Sequence, residues 1–122
     1  MELELSVRDV EQSVRFYREG LGLPVDDPGT DPGDERVHAH ATWGAWDVDG
    51  ADGFFLLSLY PASGQTVPVS FGVVVDDLED FHRRAASAGA TVIRDPQRRP
   101  WGASAAYLDP DGNRISATER PR

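Results

Sequence analysis

The chain has 122 residues, no cysteine, and 21 acidic against 12 basic side chains, for a net charge of −9. That length suits one domain, 1–122, with a modest core. The missing thiols exclude disulfides and thiolate metal centres, and the negative charge argues against a nucleic-acid partner.

Strand residues begin almost at once after Met1. No basic n-region or long apolar stretch points to a signal peptide or membrane span, so a cytoplasmic protein that engages no membrane is expected. A first strand over 2–8 leads to Asp9, an acidic N-cap with Gln12 three residues on, and a helix over 9–20. Val10, Val14, Tyr17 and Leu21 fall on one face of that helix. A short strand near 23–26 precedes a polar loop over 26–35, rich in Pro, Gly and Asp. Strands follow at 37–47 and 54–60, separated by a loop at 49–53, and a joining loop at 63–65 ends the first half.

The second half repeats the plan. A strand over 68–76 meets Asp76 and Asp77, and a helix over 77–88 places Leu78, Phe81, Ala85 and Ala88 on one face. Asp9 to Gly22 is 13 residues and Asp77 to Gly89 is 12, so the helices match in length. Strands are expected at 91–94, 103–108 and 114–119. Asp109-Pro110-Asp111-Gly112-Asn113 forms the hairpin turn between the last two, with Pro presetting φ and Gly tolerating positive φ. The chain therefore reads as α+β, two βαβββ modules over about 1–62 and 66–122.

Val7-Arg8-Asp9, Ser13, Phe16-Tyr17, Leu21-Gly22, Val75-Asp76-Asp77, Ala88-Gly89, Pro100-Trp101-Gly102 and the 109–113 turn occur in this order along nearly the whole chain. With them the sequence resembles the vicinal oxygen chelate superfamily, which includes glyoxalase, bleomycin-resistance and extradiol dioxygenase proteins. The resemblance implies sheets that curl around a cavity, commonly in a homodimer. It also implies a divalent metal held by His, Gln or Glu on the cavity face. Seven residues before Asp9 and Asp77 stand Glu2 and Ser70, and seven after Asp109 stands Ser116, where the family pattern often has His, His and Glu. Tyr60 matches a further ligand position. Hydroxyls are poor ligands for first-row metals, and one carboxylate does not replace a full set. No metal and no other cofactor is therefore expected at those positions.

Alternation turns Leu3, Leu5 and Val7 toward the helices and leaves Glu2, Glu4 and Ser6 on the other face. The competing reading of Glu2 and Glu4 is a pair of solvated carboxylates on an exposed strand. Ser70 and Ser116 face the cavity in the second module by the same rule. His38, His40 and Thr42 share one face, with the imidazoles roughly 6.6 Å apart along the strand. They suit hydrogen-bonded or exposed histidines first, a ligand-binding or general-base role second, and a relocated metal site with Glu2 third. Trp43, Trp46, Trp101 and Tyr60 offer flat apolar contact to a ligand, though several of the aromatics also suit an ordinary core.

Two functions fit. One is metal-independent binding of a small organic molecule, neutral or cationic and aromatic or extended, as in antibiotic sequestration of the bleomycin-resistance type. Glu2, Glu4, His40, Trp43, Trp46, Tyr60, Ser70, Trp101 and Ser116 would line that site. The other is a metal-free or atypical-metal isomerase, lyase or cyclase using Glu2, His38 or His40 as acid or base. No nucleophile–base spacing or phosphate-cradling glycine loop favours a particular reaction.

Overall fold

Asp9 and Asp77 open the two helices in the same way. Each is extended, at φ −140° and −137°, and its Oδ1 accepts a backbone N–H three residues on, from Gln12 and Asp80, both at 3.1 Å. One otherwise unpaired donor of each first turn is thereby satisfied.

The computed structural model describes residues 2–44, 55–64 and 66–121, in two compact units, Met1–Val67 and Pro68–Arg122. In the first, β1 (Glu2–Val7) leads to α1 (Val10–Val14), a π-helical stretch (Arg15–Gly20), then β2 (Gly29–Asp31), β3 (Asp34–Trp43) and β4 (Phe55–Pro61). The sheet order is β1-β4-β3-β2, with β1 parallel to β4 and the other pairs antiparallel. The second unit repeats this with β5 (Ser70–Val75), α2 (Leu78–Ser87), β6 (Thr91–Arg99), β7 (Gly102–Leu108) and β8 (Arg114–Glu119). Its order is β5-β8-β7-β6, and β5 runs parallel to β8. The fold is the α+β pair of βαβββ modules that the repeat implies.

Period-two alternation builds both cores. In the first unit Leu5, Val7, Ala39, Ala41, Leu57 and Leu59 are buried along with Val14, Phe16 and Tyr17 of the helical segment. Each fully buried leucine contributes about 2 kcal/mol of apolar transfer. In the second unit Leu78, Phe81 and Ala85 of α2 are buried, as are Ala105, Tyr107, Ile115 and Ala117 of β7 and β8. Burial pushes the Tyr107 phenol up to about 12, and its hydroxyl lies 2.9 Å from His82 Nδ1.

Four local expectations change. The second half of the first helix is π-helical, with the Leu21 N–H donating to the Phe16 carbonyl five residues back at 2.9 Å. The expected strand near 23–26 is a single bridge, Val25 to Ala41. The expected loop over 26–35 contains β2 and a tight turn, in which Pro32 and Gly33 separate the paired residues Asp31 and Asp34. Gly33 sits at φ 85°, the conformation that a proline–glycine turn requires at its second central position. Finally, β6 runs on past residue 94 to Arg99; its register shifts around Asp95 and Pro96, an arrangement that an edge strand tolerates. Trp46 and Phe54 lie outside the described residues. Among those residues no helix is long and apolar enough to cross a membrane.

The 109–113 turn is held by one buried side chain. Asp109 Oδ1 accepts the N–H groups of Asp111 and Asn113 at 2.9 and 2.8 Å, and Oδ2 accepts Asn113 Nδ2 at 2.9 Å. Asn113 Oδ1 in turn accepts the Val69 N–H at 2.9 Å, which ties the turn to the chain entering β5.

Gly102, which ends the Pro-Trp-Gly motif, has φ +132°, and a Cβ there would run into the carbonyl oxygen of Glu119 on β8. Both the dihedral and the close approach require glycine. Gly102→Ala should destabilise the protein by about 2–3 kcal/mol in urea unfolding, whereas Gly29→Ala, with open space around its Cβ position, should change it far less.

Candidate functional site: the polar face of the first sheet

The pairing of β1, β4 and β3 sets the site. Glu4 pairs with Ser58, which pairs with His40, so these three residues form one row across the sheet. Beside that row, Ser6 pairs with Tyr60, and Glu2 pairs with Leu56, which pairs with Thr42. Two-residue alternation puts this whole set on the face opposite Leu5, Leu57 and Ala39. Glu2 and Glu4 are exposed, His40 and Tyr60 half-buried, and Ser58 and His38 buried. Glu2 Oε2 accepts the Ser58 hydroxyl at 2.6 Å.

His38 is the most constrained side chain of this face. Its Nδ1 lies 2.7 Å from the Arg36 carbonyl and its Nε2 lies 2.9 Å from Asp31 Oδ2. Neither oxygen can donate a proton, so with both bonds made the ring is an imidazolium. Burial opposes that charge, but the Arg36 carbonyl and the Asp31 carboxylate together outweigh it and hold the His38 pKa above its ordinary value of 6.5. The ring stacks on Tyr60, with centroids 4.6 Å apart and planes at 18°, and meets His40 edge-on at 4.7 Å.

Arg36 ties the hairpin to the same cluster. Its Nε and Nη2 donate to the two carboxylate oxygens of Asp34 at 2.9 and 2.7 Å, which takes the Asp34 pKa down to about 2. Its guanidinium carbon also lies 4.3 Å from the Tyr60 ring centroid. The Tyr60 pKa is raised by burial first and then by the charges of Glu2, Asp34 and Glu4. Asp26 accepts the His40 backbone N–H at 2.7 Å and holds Oδ2 3.8 Å from His40 Nδ1.

The structure places the remaining sequence candidates as follows. Trp43 alternates onto the face of Ala39 and Ala41, where Phe55 packs beside it at 5.6 Å, so it does not belong to the polar row. Trp46 lies outside the described residues. Ser70 is exposed and Ser116 half-buried, on one face of the second sheet with Gly72 and Thr118. Trp101 is 56% exposed in the turn between β6 and β7. The family's metal positions carry Glu2, whose carboxylate already accepts from Ser58, and the hydroxyls of Tyr60, Ser70 and Ser116, and hydroxyls are poor ligands for first-row metals. The carboxylate that the fold brings to the two histidines is Asp31 rather than Glu2: donor atoms of Asp31, His38 and His40 all lie within 4.8 Å of one another. Asp31 was legible only as part of a polar loop. The cue that could have found it is Pro32-Gly33, a turn that returns Asp31 alongside β3.

The raised pKa gives a signed pH dependence. The stability from charged His38 is fully present below the unfolded value of 6.5 and is lost as pH rises through the higher folded value. Urea unfolding should show wild-type stability falling across that window, and His38→Asn should flatten the fall. An NMR titration should place the His38 midpoint above that of His38 in the urea-unfolded chain.

The sequence pattern of the Glyoxalase/Bleomycin resistance protein/Dioxygenase superfamily matches residues 2–117. Glutathione transferase FosA of Serratia marcescens is 33% identical over 121 residues, covering 93% of this chain and 74% of that protein. Among solved structures, TioX from Micromonospora sp. ML1 superposes with a TM-score of 0.72 at 19% identity, covering 99% of this chain and 98% of that one. TnmS3, an antibiotic binding protein from Streptomyces sp. CB03234, superposes with a TM-score of 0.70 at 24% identity, covering 98% and 93%. The repeat, the sheet order and the extent of the pattern agree, and the chain belongs to the glyoxalase/bleomycin resistance protein/dioxygenase superfamily.

Proposed function

We propose that the protein binds a small organic molecule on the polar face of its first sheet, without a metal at the family's usual ligand positions. The observation that carries this reading is the row Glu4–Ser58–His40, flanked by Glu2 and by Tyr60. It combines hydrogen-bonding groups, two carboxylates and an aromatic ring held in place by His38 and Arg36. Sites for small ligands combine apolar contact with a few fixed polar groups in this manner. Glu2, Glu4 and the net charge of −9 favour a neutral or cationic ligand. The likeness to TnmS3, an antibiotic binding protein, supports a sequestration role. In this reading 1–122 is a single cytoplasmic domain, and two copies associate as a homodimer, each carrying its own site.

A second reading has its own support. A relative at 33% identity is a glutathione transferase, and a charged His38 against Tyr60 offers proton-transfer chemistry. On this view the protein is a metal-free or atypical-metal isomerase, lyase or cyclase.

A thermal-shift and tryptophan-fluorescence screen of natural-product antibiotics and small aromatic metabolites, run with chelator present, tests the reading. A hit should lose about tenfold in affinity on Tyr60→Ala or Glu4→Ala, a change of about 1.4 kcal/mol, and remain chemically unchanged. Anionic hits insensitive to both substitutions would defeat the proposed surface. Consumption of the hit would replace binding by catalysis. Light scattering at micromolar protein should return twice the 13.4 kDa chain mass; a monomer mass would remove the dimer.

A further inference from the structure

We infer that Asp31, His38 and His40 form a binding site for a first-row divalent ion of the zinc or nickel type, apart from the family's metal positions. The three come from β2 and β3 of one hairpin, and their donor atoms lie within 4.8 Å of one another. Two donors each about 2.1 Å from an ion are roughly 3.0 Å apart at a right angle and roughly 3.4 Å apart at the tetrahedral angle. His38 Nε2 and Asp31 Oδ2, at 2.9 Å, already have the shorter separation. The His40 donor atom lies within 4.8 Å of both and closes the set by turning about its side-chain torsions.

The surroundings of the two rings support the assignment. Metal-bound histidines characteristically donate their other ring N–H to a carbonyl or carboxylate, which fixes the tautomer and the ring plane. His38 Nδ1 has such a partner in the Arg36 carbonyl at 2.7 Å, so Nε2 is the nitrogen left for an ion. The ion would take the place of the proton now shared by Nε2 and Asp31. His40 Nδ1 has the Asp26 carboxylate at 3.8 Å, beyond hydrogen-bond length, so its ring is free of a competing bond to that group. The stacking of His38 on Tyr60 at 4.6 Å holds the imidazole still before any ion arrives.

The donor set selects the ion. Two imidazoles and one carboxylate suit zinc, nickel, copper or iron(II), while magnesium and calcium favour oxygen ligands. Asp31 is exposed and His40 half-buried, so the ion has an open approach and water completes its coordination.

The test is calorimetric titration of the full-length protein, stripped with chelator, with zinc chloride and with nickel chloride. One equivalent should bind with micromolar affinity or tighter. Asp31→Asn and His40→Asn, both at positions that retain solvent contact, should each weaken it by about tenfold or more. Glu2→Gln and His82→Asn should leave it within about twofold. Zinc should raise the Tm of the wild type and not of Asp31→Asn, a comparison that also exposes a variant that has failed to fold. No binding at 100 μM ion, or binding indifferent to Asp31 and His40, would overturn the inference. Equal loss on Glu2→Gln would place the ion at the family's usual position instead. Organic-ligand binding is measured with chelator present, so either result can fail without the other.

Discussion

Parallel pairing of the first strand of each module with its last is the constraint from which the rest follows. Parallel neighbours need a crossover rather than a hairpin, and the helix capped by Asp9 or Asp77 supplies it. Once β1 lies beside β4 in the register Glu4–Ser58, the alternation of each strand is locked to that of the next. Leu5, Leu57, Leu59, Ala39 and Ala41 then face the helix, and Glu2, Glu4, Ser58, Tyr60, His38 and His40 fall together on the other face. A slip of one residue in β1 would turn both carboxylates into the core.

On that face electrostatics and packing act together. Asp34 holds Arg36, Arg36 lies against Tyr60, Tyr60 stacks on His38, and His38 bonds back to Asp31 across the hairpin. The chain of contacts begins and ends on carboxylates, so its two cations are each compensated. That compensation outweighs the burial that opposes charge on His38, whose side chain is only 1% exposed, and raises its pKa. It also gives a rigid setting to a tyrosine and a histidine that would otherwise be a pair of ordinary strand residues.

Much of this was legible in residues, and what was not has physical causes. The caps at Asp9 and Asp77, the alternation of β1 and β3, and the 109–113 turn each follow from local chemistry and occur as expected. The π-helical stretch has no sequence signature, because its apolar spacing differs too little from that of an α-helix over six residues. The 26–35 segment reads as loop because Pro, Gly and Asp dominate it. Yet β2 is short and its pairing with β3 is decided by one proline–glycine turn, a cue too local to mark Asp31 as a neighbour of His38. Trp43 reads as a lining residue from its place beside Gly44 in a polar stretch, and that cue carries no information about its face. Its odd position along β3, one residue after Thr42, places it on the other face.

Ser70 and Ser116 occupy positions where the family often binds metal, and Gly102 and Asp109 preserve the turns around them. One scaffold hosts many activities, and in this chain we place ligand binding on the polar face of the first sheet. Backbone amide NMR of the protein with and without a screened ligand tests that claim most directly. Shift changes concentrated in residues 2–6, 38–42 and 58–60 are the predicted result. Changes confined to residues 70–118, with the first sheet unmoved, would contradict it.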